Sequence, residues 1–140
     1  MDSHRLRSLL NNYHSFHPVV DFDATTDKLL RIDLTALNTE LTSDIVNDTS
    51  AFSSYITSVL RSSNARYGIG GYLEHRTVYS RSEVFDGKTN EEPRRLHLGI
   101  DIWSEAGTKV YAPLGGMIHS FAFNDQFGDY GATIIMQHQL

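Results

Sequence analysis

The chain has 140 residues, 40% hydrophobic and 21% charged, which is the length and balance of one globular domain able to bury a core. Its net charge of -5 and pI near 5.7 leave no basic face for nucleic acid, and the Arg5/Arg7 and Arg94/Arg95 pairs are too short to supply one. There is no cysteine, so disulfides, thiolate metal sites and cysteine nucleophiles are excluded.

The N-terminus, Met1 to Arg7, is followed by only Leu9-Leu10 before polar residues resume. A signal peptide needs an apolar core of about 7–15 residues. No apolar run approaches the ~20 residues of a membrane span either. The expectation is a chain that is not exported, cytoplasmic by default. Residues 4–16 predict a short amphipathic helix, with Leu6, Leu9, Leu10, Tyr13 and Phe16 near helical spacing and His17-Pro18 as its stop. His4, His14 and His17 read as solvated surface groups.

Val19 to Phe22 is short and apolar, and Asp23 to Asp27 is turn-like. Between Lys28 and Thr35, Leu30, Ile32 and Leu34 alternate with Leu29, Arg31 and Asp33, as in a strand with one buried face. Thr42-Ser43-Asp44 can cap a second helix reaching about Ser62. Along it Ile45, Phe52, Tyr55, Ile56, Val59 and Leu60 form an apolar stripe for core packing. Its many Ser and Thr residues make it weak by propensity, so tertiary packing must hold it.

At Arg66 to Tyr72 the character changes, with Gly68, Gly70 and Gly71 permitting tight turns or close backbone approach. The spacing matches neither a dinucleotide fingerprint nor a P-loop. A β region follows, with strand segments at Tyr72 to Tyr79 and Ser82 to Phe85 and a polar loop at Asp86 to Pro93. Glu74, His75 and Arg76 are either the solvated face of a strand or part of a cleft lining. Further strands are expected at Lys109 to Ala112, Met117 to Phe123 and Gly131 to His138. His119 and His138 sit in strand patterns and read as structural histidines.

The most informative stretch is Arg95 to Trp103. Leu98, Ile100 and Ile102 alternate with His97, Gly99, Asp101 and Trp103, the period of a strand. His97 and Asp101 then share a face, but a straight strand would hold them about 13 Å apart, at roughly 3.3 Å per residue. To serve one metal ion, whose ligand atoms sit about 2 Å away, the chain must bend, and Gly99 is where it bends most readily. A helix would also bring i and i+4 together, but Gly99 and the β-branched Ile100 and Ile102 disfavour it.

His97-x-Gly99-x-Asp101, followed by Ala106-Gly107-Thr108-x-Val110-x-Ala112-Pro113-x-x-Gly116, resembles the front half of the LytM/lysostaphin-type zinc metallopeptidases. That family cuts peptide cross-links of bacterial peptidoglycan. The similarity runs from about Arg95 to Leu140 and extends more weakly upstream from Tyr67 to Phe85. It implies a catalytic Zn2+ with His97 and Asp101 as two of three protein ligands. The family's third ligand lies in a His-x-His motif and a further catalytic histidine in a Tyr-x-His motif, and neither occurs before Leu140. The implied function is a zinc endopeptidase of cell-wall peptides, present as an incomplete catalytic domain that holds Zn2+ weakly or not at all. The alternative is a non-catalytic module that binds a peptide or partner. A cell-wall substrate conflicts with the missing export signal.

The expected fold class is α+β. Residues 1–65 form an N-terminal helical region with one or two strands, and 66–140 a mainly antiparallel β module truncated before the family domain is complete. Ala132 to Met136, apolar and uncharged, is expected to leave a sheet edge open to self-association.

Overall fold

In the computed structural model, which describes residues 2–76, 96–126 and 129–139, the fold is α+β. It separates into two compact units, Asp23–Ala106 and a discontinuous one made of Met1–Phe22 and Gly107–Leu140.

The first unit is built on the alternation at Leu30, Ile32 and Leu34. Strand β1 (Leu29–Ile32) buries Ile32, and Leu34 just beyond it is 1% exposed. The predicted second helix is two helices, α2 (Ser43–Asn47) and α3 (Thr49–Ser62). Asp48 divides them: its extended backbone ends α2, and its carboxylate accepts the Ala51 N–H at 2.7 Å to cap α3. Thr42 caps α2 in the same way, through Ile45 N–H. The C-terminus of α3 closes through Asn64 N–H to the Arg61 carbonyl and Ala65 N–H to the Leu60 carbonyl, with Asn64 left-handed at φ 50°. The apolar stripe does what its spacing predicts. Ile56 joins Ile32 and Leu34 in the core, with Phe52, Tyr55 and Leu60 packed around them.

Strand β2 (Tyr67–Gly70) runs parallel to β1 in the register Leu29↔Tyr67 to Ile32↔Gly70, so α2 and α3 form the crossover. The described pairs within 66–140 are antiparallel, as expected, and the parallel pair is the one that joins β1 from the N-terminal region to β2 through a helical connection. Gly68 lies under Ile32 and Leu60, and a Cβ there would overlap the Ile32 side chain. On its other edge β2 pairs antiparallel with β5 (Ile102–Trp103), giving the order β1-β2-β5. Two further short strands, β3 (Glu74–His75) and β4 (Leu96–His97), pair antiparallel with Glu74 opposite His97. The strand expected at Ser82 to Phe85, the loop at Asp86 to Pro93 and the end of the Tyr72 to Tyr79 segment lie outside the described residues.

In the second unit α1 (Ser3–Asn12) ends four residues earlier than its apolar spacing suggests. Tyr13 is extended, and no residue of α1 is buried, so nothing rewards the longer helix. Lys109 to Ala112 forms no regular strand, although Tyr111 N–H donates to the Val19 carbonyl at 2.9 Å and its hydroxyl to Asp21. Strands β6 (Met117–Asn124) and β7 (Gly131–Gln137) form an antiparallel pair with a register shift between Ile118 and Ser120.

Candidate functional site

The segment between β4 and β5 bends, as the paired polar residues require. His97 belongs to the β3–β4 pair and Asp101 directly precedes β5 in the other sheet. The bend reverses the usual sense of an alternating strand. Leu98 and Ile100 are exposed, while His97, Asp101 and Trp103 turn inward to partial burial. Gly99 accommodates this, since a Cβ at that position would come within 3.1 Å of His97 Nε2.

Backbone bonds hold both ends of the bend. Gly70 N–H donates to the Asp101 carbonyl at 2.9 Å, and Leu73 N–H to the His97 carbonyl at 2.8 Å. Leu73 pays for that contact with a left-handed φ of 58°, unusual for a branched side chain.

The side chains converge. His97 Nε2 lies 3.4 Å from Asp101 Oδ1, and His97 Nδ1–H donates to the Gly71 carbonyl at 3.2 Å. That bond leaves the Nε2 lone pair of a neutral imidazole facing a carboxylate oxygen. An imidazole nitrogen and a carboxylate oxygen so placed are two donors that one cation could share.

Behind this pair stands a second ionic layer. Arg76 Nη1–H donates to Asp101 Oδ2, and Arg76 Nε–H to Glu74 Oε2 at 2.8 Å. The Arg76 and Glu74 side chains are each 4% exposed. Glu74 and Arg76 are therefore not the solvated face of a strand; only His75 between them is exposed. Gly70 makes room for the guanidinium, because a Cβ there would lie 2.6 Å from Arg76 Nη2 and 2.8 Å from the Trp103 ring. Among the described residues, the Glu74 and Asp101 carboxylates both pair with the one guanidinium of Arg76.

Zinc bonded to nitrogen and oxygen at about 2.0–2.2 Å in a tetrahedron separates two ligands by roughly 3.4 Å. The spacing of His97 Nε2 and Asp101 Oδ1 fits two corners of that figure. Among the described residues no group of three His, Cys, Asp or Glu side chains is placed to hold a metal. His119 Nδ1 contacts the Ser120 hydroxyl at 3.1 Å, and His138 Nδ1–H donates to the Gly115 carbonyl at 2.9 Å.

Sequence reasoning singled out His97 and Asp101 and missed the role of Arg76. The available signal was the i, i+2 spacing of Glu74 and Arg76, which puts both on one face of a strand. The link to Asp101 spans 25 positions and leaves no local trace. In comparisons with known proteins, no family, no curated protein and no solved structure matches this chain. No described helix is long and apolar enough to cross a membrane.

Proposed function

We propose that this chain carries part of a zinc metalloendopeptidase site for peptide cross-links of peptidoglycan, with His97 and Asp101 as two of the metal's ligands. The observation that carries the reading is the 3.4 Å approach of His97 Nε2 to Asp101 Oδ1, with the opposite ring nitrogen held by the Gly71 carbonyl. A second hydrogen bond on a metal-binding imidazole fixes its tautomer and aims its free nitrogen, and Gly71 supplies that bond. When bound, zinc in such a site polarises a scissile carbonyl and lowers the pKa of its water. His97 contributes a neutral donor, and Asp101 a charged one that offsets part of the cation's charge.

Two donors, with no third placed beside them among the described residues, hold zinc weakly, since water must fill the remaining positions. Zinc titration followed through the His97 ring resonances tests this. The expected result is weak binding that moves those resonances, is absent in Asp101→Asn, and is lost on dialysis. Resonances that stay still at millimolar zinc overturn the reading. The chain by itself is expected to leave cell-wall peptides and oligoglycine uncut. Turnover abolished by His97→Ala would instead mean that a full site assembles within these residues or between copies.

A second reading, a non-catalytic module that binds a peptide or another copy of itself, is favoured by the β6–β7 pair. Phe121 is 80% exposed and Ile134 66%, and among the described residues the two-stranded sheet has no further ladder partner on either edge. Such an edge accepts an added strand. Sedimentation velocity across a wide concentration range is expected to show self-association. A strict monomer with slow amide exchange from Thr133 to Met136 overturns this reading.

A further inference from the structure

We infer that Arg76, braced by Glu74, is a positioning residue for the metal pair, fixing which oxygen of Asp101 is presented beside His97. This rests on the metal reading of His97 and Asp101 given above. Arg76 Nη1 bonds Asp101 Oδ2, and the other oxygen, Oδ1, is the one that lies 3.4 Å from His97 Nε2. A carboxylate whose second oxygen is tied to a buried, planar guanidinium cannot rotate freely about its terminal torsion. Oδ1 is thereby held in place before any ion arrives. The guanidinium is itself immobilised, because its Nε–H is spent on Glu74 Oε2 at 2.8 Å and both side chains are 4% exposed. Strand pairing supports the same geometry, since Glu74 stands directly opposite His97 in the β3–β4 register. The β3–β4 pair therefore carries the imidazole on one strand and the brace on the other.

Charge and position make opposite predictions here. As a bare charge, Arg76 repels a cation at Asp101, so removing it would tighten metal binding. As a positioning residue, it strengthens binding, so removing it weakens metal binding. Lysine separates the two effects further: it keeps the charge but has one nitrogen and cannot bridge Glu74 and Asp101 as Nε and Nη1 do.

Co2+, which shares zinc's ligand preferences and has a visible spectrum, is the probe, titrated into the wild-type chain, Arg76→Lys, Glu74→Gln and His97→Ala. Circular dichroism of each variant reports folding separately. His97→Ala is expected to abolish binding. Arg76→Lys is expected to weaken it at least about tenfold, the usual scale for groups that hold a metal's ligands in place. Glu74→Gln keeps an acceptor for Nε–H but loses the charge, and is expected to weaken binding less. It carries the test if Arg76→Lys does not fold. Folded variants that bind Co2+ as tightly as wild type, or more tightly, overturn the positioning role and leave the metal reading intact. Wild-type chain that shows no His97-dependent binding overturns both. A readout without metal stands beside these. The Arg76 Nε–H signal is expected to exchange slowly with water, and a fast-exchanging signal overturns the brace itself.

Discussion

The two units of this chain use similar residues to opposite ends. In Asp23–Ala106, short strands of ordinary composition bury Ile32, Leu34 and Tyr67 almost completely and enclose an ionic network at Arg76. In the second unit, β6 and β7 are longer and richer in Phe and Ile, yet most of those side chains are exposed. Strand length and apolar content therefore do not decide burial. What decides it is whether a second layer covers the sheet, and α3 supplies that layer for β1 and β2.

The largest expected effect tests the ionic layer. Arg76→Met leaves the Glu74 carboxylate, whose Oε1 already lacks a hydrogen-bond partner among the described residues, without its salt bridge in the interior. Breaking one half of a buried pair destabilises by about 3–5 kcal/mol. Replacing both, as Glu74→Leu with Arg76→Met, is expected to recover much of that loss in urea unfolding. A double variant as unstable as the single one would mean that the charge is not the cause.

Next comes the direct contrast between units. Leu34→Ala in the first is expected to lower stability by about 2–5 kcal/mol, whereas Ile134→Ala in β7 should shift it by no more than about 0.5 kcal/mol. Equal losses in the two variants would break the comparison, because Ile134 would then have to be buried.

A smaller effect sits at the start of α3. Asp48→Ala removes the acceptor of the Ala51 N–H and is expected to cost about 1 kcal/mol, while Asp48→Asn should retain most of the cap. Thermal melts of the two variants resolve this, and identical melting temperatures would show that the cap contributes nothing.

The smallest effect is one of pH. The Thr35 backbone N–H, then its hydroxyl, hold the Asp33 carboxyl below its ordinary value of 3.8. Because the folded value lies below the unfolded one, the unfolded chain binds the proton more readily. The contribution is fully present above about pH 4 and is lost as pH falls through the folded value. Asp33→Asn should therefore flatten the acid limb of stability below pH 4 and change little at neutral pH. An unchanged acid limb would remove Asp33 as a contributor.

Much of this protein was legible in local pattern. The alternation at Leu30, Ile32 and Leu34, the stripe from Phe52 to Leu60 and the cap at Thr42 act between residues a few positions apart, so the sequence displays them directly, whereas the break and second cap at Asp48 went unread within what looked like one helix. The bend at Gly99 followed from simple length arithmetic: His97 and Asp101 cannot meet along a straight strand. Tertiary structure alone decided the rest. It ended α1 at Asn12 for want of a surface to cover, and it paired β1 with β2 in parallel across the α2–α3 crossover. It also carried Arg76 to Asp101, and it turned Leu98 and Ile100 outward while their polar neighbours turned in. These outcomes depend on which distant segments share a layer, and a side chain's period says which face it occupies without saying what that face will meet.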